Sequence, residues 1–384
     1  MNREVQTRFF TINRTSEILN RKYNIMTHRE RYIKCLTGQE VDRPPYWLLW
    51  SPWATTRERW LREGMRDVEN HRDLFDTDPR PAVVPVKYGP WPNLERVIED
   101  DGEFIVHHDS WGVKRRDFKH GESMSEFLEF PVKNRADWEE FRDRYLDPDN
   151  PGRFPDGWIE TCREFDREGV PVHIGYFPDV GLFGCLRWLL GDEDMLVGFY
   201  TMPDLIRDIL EHLTNLWLTL FERVTAKAHV DILHMFEDLC GRQGSLISPA
   251  MWEDFFAPHY RRLRMFADCH DIPLFSVDTD GNPYQLIGPM TDAGANYMWP
   301  FEVAAGCDVN EVRRRFPGLA MMGGFDKRVL AVDREAIDRE LERIRPVVEG
   351  GRYIPETDHS IPHDVSWDNY RYFADGLRKL VGKE

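Results

Sequence analysis

The sequence predicts an α/β fold, a single-domain (βα)8 barrel of the TIM type, from three observations. First, short apolar segments typical of buried strands alternate with longer helix-like segments along most of the 384 residues. Second, helix start and stop signals fall at the boundaries, with Ser248-Pro249 before one helix and Gly350-Gly351 after another. Third, α/β barrels run well past the usual domain size of about 150 residues, so one barrel accommodates this length.

Eight apolar runs are predicted to be the strands of the barrel. They are residues 45–50, 82–87, 171–176, 230–236, 273–278, 295–299, 318–323 and 352–355. The helix-like segments between them are 53–73, 182–225, 249–270, 283–293, 308–316, 333–349 and 364–380. Eight strands in alternation with helices are the number that a (βα)8 barrel requires.

The interval 88–170 is too long for a simple connection between two strands. Part of it alternates polar and apolar residues around a turn at Asp101-Gly102, which indicates an antiparallel hairpin inserted after the second strand. A helix is predicted next, over 135–146. Residues 1–25 are interpreted as an N-terminal arm without the apolar region of a signal peptide, and 26–384 as the barrel.

Composition excludes several classes of partner. A net charge of −17 argues against binding to nucleic acid or to an anionic membrane. No apolar stretch reaches the roughly 20 residues of a membrane span. The six cysteines are scattered without a C-x-x-C pair, which favours a reducing, cytoplasmic location over a disulfide framework.

Acidic and histidine residues follow the predicted strand ends, where barrel enzymes place their catalytic groups. Asp278 and Asp280 follow the fifth strand, Glu237 the fourth and His359 the eighth. Crowded carboxylates without nearby lysine or arginine are tolerated if one is protonated or if a cation lies among them.

Aromatic residues also follow the predicted strand ends. Trp50, Trp53, Tyr176 and Trp299 are expected to shape an apolar substrate pocket.

Simpler interpretations stay open for each of these residues. Asp278 or Asp280 could cap the helix that follows. Glu237 could bond a neighbouring backbone amide, His359 could be a surface residue, and the tryptophans could serve packing alone.

Several longer stretches resemble a known family. They are RERYIKCLTGQEVDRPPYWLL near the start, GCLRWLLGDEDMLVGFYTMPDLI in the middle, GGFDKRVLA after the seventh strand and DHSIPHDVSWDNYR near the end. Over about residues 26–381, the chain resembles the uroporphyrinogen decarboxylase superfamily, which includes zinc-dependent methyl-corrinoid methyltransferases. The decarboxylases carry an arginine-rich stretch after the first strand that grips a polycarboxylate substrate. This chain has WSPWATTRERW there, with no arginine before Arg57, so decarboxylation of uroporphyrinogen is not expected.

The resemblance to the methyltransferases concerns the residues that bind their zinc. Those enzymes carry His-x-Cys-Gly-Asn after the fifth strand and Cys-Gly-Ile-Pro after the eighth. This chain has DTDGN at 278–282 and HSIP at 359–362. The resemblance therefore implies a metal site of Asp278, Asp280 and His359, with Glu237 as a possible fourth ligand. Two oxygens and an imidazole suit zinc, with iron(II) and manganese as alternatives.

These features predict a metal-dependent methyltransferase that moves a methyl group between a small methylated or methoxylated compound and a corrinoid on a separate partner protein. Glu237, Asp280 and His359 are the expected catalytic residues. The sequence is compatible with an oligomer. Two alternatives stay open: a uroporphyrinogen decarboxylase-like lyase acting on a small acid or a tetrapyrrole, and a non-catalytic barrel that binds a tetrapyrrole.

Overall fold

A curved parallel sheet of seven strands forms the centre of the structure, a computed structural model that describes residues 26–120 and 124–383. The predicted arm, residues 1–25, lies outside the described residues. The strands of the chain are β1 (Ala82–Val83), β2 (Arg96–Asp100), β3 (Phe104–His108), β4 (Lys114–Phe118), β5 (Glu126–Glu129), β6 (Val172–Ile174), β7 (Ile232–Phe236), β8 (Cys240–Gly241), β9 (Gly244–Ser245), β10 (Leu274–Asp278), β11 (Tyr297–Trp299), β12 (Ala320–Phe325) and β13 (Tyr353–Thr357).

The helices pack mainly on the convex side of this sheet. They are α1 (His28–Thr37), α2 (Ala54–Arg62), α3 (Arg135–Tyr145), α4 (Trp158–Glu168), α5 (Leu182–Leu190), α6 (Asp192–Thr201), α7 (Pro203–Thr225), α8 (Pro249–Phe255), α9 (Ala257–Cys269), α10 (Ile287–Asp292), α11 (Val309–Arg315), α12 (Arg334–Glu349) and α13 (Trp367–Leu380). Short 3-10 helices occupy His71–Leu74, Pro151–Arg153, Val303–Ala305 and Lys327–Ala331.

The central sheet has the order β1-β6-β7-β10-β11-β12-β13, with every neighbouring pair parallel. The chain thus has an α/β fold whose curved parallel sheet is consistent with a TIM barrel, and seven of the eight predicted strands lie in that sheet.

The predicted first strand, 45–50, is not a strand in the structure. It is an extended segment that bonds to both edges of the curved sheet. Asp78, shortly before β1, donates its backbone N–H to the Tyr46 carbonyl at 2.9 Å, and the Leu49 N–H donates to Glu356 of β13 at 2.7 Å. Because Pro44 and Pro45 have no N–H to donate, the start of this segment cannot form a regular ladder.

The long interval after β1 contains a second, four-stranded antiparallel sheet in the order β2-β3-β4-β5, where a single hairpin was predicted. The Phe127 ring of β5 lies 6.4 Å from the ring of Trp188 on α5, between centroids. This contact places the inserted sheet beside the loop that follows β6.

A cluster of apolar side chains joins α1 to the central sheet. Tyr32 and Leu36 of α1 pack there against Trp47 and against strand residues such as Tyr297. A capping box starts α1: the Thr27 hydroxyl accepts from the Glu30 N–H at 3.1 Å, and the Glu30 carboxylate accepts from the Thr27 N–H at 2.8 Å. Within the described residues, the helices lack the length and apolar character that crossing a membrane would require.

Gly181, just before α5, is predicted to be essential to the packing of that helix on β7. A Cβ atom at Gly181 would lie 1.7 Å from the carbonyl oxygen of Phe236. We expect Gly181→Ala to lower the free energy of unfolding by about 1–3 kcal/mol, measured by urea denaturation. Gly318→Ala is the matched control, because its Cβ would meet nothing within 4 Å. Equal stability of the two variants would contradict the close approach.

Candidate functional site

A cavity of about 600 Å³ opens at the carboxyl ends of the central strands. Asp278, Asp280, His359, Trp50 and Trp299 line it, as does the exposed Tyr176. The cavity therefore brings together six of the eight residues predicted to form the site.

Asp280 and His359 form a carboxylate–imidazole pair in the cavity. The His359 Nε2 lies 3.5 Å from the Asp280 Oδ2, and both side chains are about one-third exposed. The His359 ring stacks on Trp50, with centroids 4.5 Å apart and planes 23° apart. Asp280 does not cap a helix, because α10 starts later, at Ile287. The cap interpretation is thus excluded for Asp280.

Asp278 is the buried carboxylate of the cavity. Its side chain is only 8% exposed and takes no hydrogen bond from the residues that the structure describes. Burial raises the pKa of the Asp278 carboxyl well above its ordinary value, and the negative charges of Asp280 and Asp238 raise it further. Asp278 is therefore available to a ligand or a proton acceptor.

The structure does not bring Glu237 to the cavity. Its fully buried carboxylate accepts hydrogen bonds from the N–H groups of Leu182 at 3.1 Å and Phe183 at 2.6 Å, in the first turn of α5. The Tyr260 hydroxyl also donates to it, at 2.6 Å. Because unpaired amides at a helix start attract a carboxylate, Glu237 holds α5 in place. The backbone-amide alternative describes it better than the predicted role as ligand or catalyst.

Trp53 is the other predicted residue outside the cavity lining. It is 40% exposed and occupies the position before the first residue of α2. Asp238 does line the cavity, but its carboxylate pairs with Arg187 at 2.7 Å.

Two further histidines, His173 and His234, lie in the cavity wall, and the sequence pattern did not predict them. Both are buried, and burial lowers the pKa of His173 to about 4 and that of His234 to about 3. Both rings are therefore neutral at physiological pH. The Nδ1 of His173 donates to the Gly175 carbonyl at 2.9 Å, since a carbonyl only accepts, and this leaves the Nε2 of His173 as an acceptor.

Ser276 connects His234 to Trp299. The Trp299 Nε1–H donates to the Ser276 hydroxyl at 3.0 Å, and that hydroxyl lies 3.2 Å from the His234 Nδ1. If the Ser276 hydroxyl donates a hydrogen bond to the Nδ1 of His234, the neutral imidazole carries its N–H at Nε2. The imidazole also stacks on the Trp299 indole, with centroids 5.3 Å apart. These contacts fix the orientation of both rings.

Comparison with known proteins relates this geometry to one family. Residues 191–380 match the family model described as uroporphyrinogen decarboxylase (URO-D). A uroporphyrinogen decarboxylase from Rhodococcus erythropolis is 34% identical over 141 residues, which cover 35% of each chain, so this chain spans about a third of that relative's length. One from Synechococcus is 20% identical over 371 residues, which cover 92% of this chain and 93% of the relative.

A solved methyltransferase from Methanosarcina mazei has the same fold. It superimposes with a TM-score of 0.57 and 14% identity, over 92% of this chain and 99% of that chain. At this identity, the likeness is one of fold.

The structural role of Glu237 predicts a characteristic dependence of stability on pH. Burial raises the pKa of Glu237 from 4.5 to about 7. A carboxyl with a raised pKa stabilises the fold fully below about pH 4.5, and this contribution is lost as the pH rises to about 7. We expect the stability of the wild type relative to Glu237→Gln to fall by about 3 kcal/mol between pH 4.5 and 7.5, measured by urea denaturation. The exposed Glu168→Gln should show no such difference. Parallel profiles for the wild type and Glu237→Gln would contradict the raised pKa of the buried Glu237.

Proposed function

We propose that the chain is a metal-dependent methyltransferase of the uroporphyrinogen decarboxylase superfamily, whose family model matches residues 191–380. It moves a methyl group between a small methylated or methoxylated compound and a corrinoid carried by a partner protein. The observation that carries this proposal is the proximity of Asp280 and His359 in a cavity that also holds the buried, unpartnered carboxylate of Asp278.

The donor types of these side chains fit a divalent ion. Two carboxylates and one imidazole are a hard ligand set, compatible with zinc, iron(II) or manganese. Over residues 26–120 and 124–383, no three His, Cys, Asp or Glu side chains already form a group that could hold a metal ion. Asp280 and His359 would hold the ion, with Asp278 as the candidate third ligand.

When bound, the ion supplies Lewis acidity at the atom from which the methyl group departs. The side chains of the cavity then do three things. The rings of Trp50 and Trp299 cover the substrate and exclude water. The neutral His173 offers an acceptor at its Nε2, and neither His173 nor His234 adds positive charge. Arg187 neutralises Asp238, so this carboxylate does not compete for the ion.

Metal content tests the ligand assignment. Protein purified without chelators should carry a single divalent ion per chain by elemental analysis. His359→Ala and Asp280→Asn should weaken metal binding by at least about 10–100-fold, because each removes a direct ligand. Asp326→Asn is the control, since Asp326 also follows a strand but pairs with Arg328 at 2.7 Å outside the cavity. Full metal content in His359→Ala would refute the site.

Methyl transfer tests the activity itself. Incubation with cob(I)alamin and a methoxylated compound should yield methylcob(III)alamin and the free hydroxyl compound, with one proton taken up by the departing oxygen. The absorbance change of the corrinoid follows the reaction. His359→Ala should abolish it, and Asp326→Asn should not.

A lyase of the decarboxylase type is the second candidate. The names of the sequence relatives favour it, and so does the raised pKa of Asp278, because a protonated carboxyl group can donate a proton to the carbon that loses CO₂. Release of CO₂ from a small acid by metal-free protein, without methyl transfer, would favour this candidate.

A further inference from the structure

One cation in the cavity has no protein partner among the described residues. Arg80, two residues before β1, is the one lysine or arginine that lines the cavity over residues 26–120 and 124–383. No described carboxylate or carbonyl binds its guanidinium, and the uncharged phenol of Tyr176 is one of its neighbours. Arg80 is an exposed residue at the cavity, and partial loss of solvent at its guanidinium lowers its pKa, yet an arginine stays charged in a protein.

A second cation, Arg72, lies near Arg80, and the repulsion between them favours binding of an anion at Arg80. Burial is the largest cause that lowers the pKa of His71 to about 3. The positive charges of Arg72 and Arg80 lower it further. Arg72 bonds to the Leu49 carbonyl at 2.9 Å and to the Asn70 side chain at 2.8 Å, and neither group carries a negative charge. The carboxylates of the cavity lie elsewhere: Asp238 pairs with Arg187, and Asp280 lies beside His359.

A row of aromatic rings connects the Asp280 end of the cavity with the Arg80 end. Successive centroids in this row are 4.5, 6.1, 5.3, 6.0 and 5.7 Å apart. In order, the rings belong to His359, Trp50, Trp299, His234, His173 and Tyr176. His359 adjoins Asp280, and Tyr176 adjoins Arg80. The planes of neighbouring rings are between 20° and 90° apart, so the row presents both ring faces and ring edges between the Asp280–His359 pair and the Arg80 guanidinium.

We propose that the cavity binds a small aromatic carboxylate, whose carboxylate group Arg80 holds and whose ring lies along this row of side chains. A guanidinium binds a carboxylate through two parallel hydrogen bonds, and aromatic side chains pack favourably against the ring of an aromatic ligand, face to face or edge to face. The far end of the ring then points to Asp280 and His359. A ligand with many carboxylates is disfavoured, because Arg80 can neutralise one of them and Asp280 repels the others.

The identity of the methyl donor as an aromatic acid rests on the proposed function. Binding of a carboxylate by Arg80 does not depend on it. Benzoate and its neutral isostere benzamide are suitable probes, followed by isothermal titration calorimetry. We expect the wild type to bind benzoate more tightly than benzamide. Arg80→Gln should weaken benzoate binding at least about tenfold and leave benzamide binding unchanged. Cyclohexanecarboxylate should bind more weakly than benzoate, since it cannot stack.

Two further variants make the result specific. Arg80→Lys should recover part of the benzoate affinity, because it restores the charge without the planar fork. Arg242→Gln removes an exposed arginine that does not line the cavity and should bind benzoate like the wild type. No preference of the wild type for benzoate over benzamide would overturn the proposal, whether or not Arg80→Gln folds. Equal affinity of the wild type and Arg80→Gln for benzoate would also overturn it.

Methyl transfer separates this inference from the proposed function. Binding of benzoate that depends on Arg80, without methyl transfer from 4-methoxybenzoate to cob(I)alamin, would leave the carboxylate site intact and count against the methyltransferase. Equal transfer from 4-methoxybenzoate and 4-methoxybenzamide, with equal KM values, would support the methyltransferase and overturn the carboxylate site.

Discussion

The parallel pairing of β7 with β10 determines which polar groups face the cavity. His234 lies opposite Ser276 in the register of the two strands, and Asp278 follows two residues later on the same face. Because side chains alternate between the faces of a strand, a shift of one residue would present Met235 and Val277 instead. The hydrogen bond between Ser276 and His234, the stacking of the imidazole on its tryptophan neighbour, and the position of the buried carboxylate all depend on this register.

Glu237 and Asp278, two buried carboxylates at adjacent strand ends, differ in the number of hydrogen-bond donors around them. Glu237 accepts three hydrogen bonds, two of them from the first turn of α5, and so fixes a helix. Asp278 accepts none from the described residues and faces the charges of Asp280 and Asp238. Buried polar groups are almost always paired in a native protein, and those that are not tend to lie where the protein binds something. This difference in hydrogen bonding, which depends on tertiary contacts, separates a structural acid, Glu237, from the acid that we propose as a metal ligand, Asp278.

The sequence predicted the elements whose signals are local. Strand ends that carry Asp278, Asp280 and His359 were found because an apolar run stops there. His173 and His234 were missed because both faces of a parallel strand are buried, so no alternation marks the side that faces a cavity. Glu237 was misplaced because its direction depends on a helix that starts more than 50 residues earlier in the chain. The helix predicted over 182–225 is three helices, since Gly191 and Pro203 interrupt it.

The overall charge of the chain and the charge of its cavity lead to different expectations about an anionic ligand. A net charge of −17 repels anions at long range, but salt screens that repulsion over about 8 Å under physiological conditions. Within the cavity, Arg80 would act on a bound carboxylate at hydrogen-bond distance, and no described carboxylate pairs with it. Affinity for a monoanion then depends on one local contact, whereas each further negative charge on the ligand meets the field of Asp280 without a cation to offset it. The same arrangement that disfavours a polycarboxylate tetrapyrrole therefore permits a small acid with a single carboxylate.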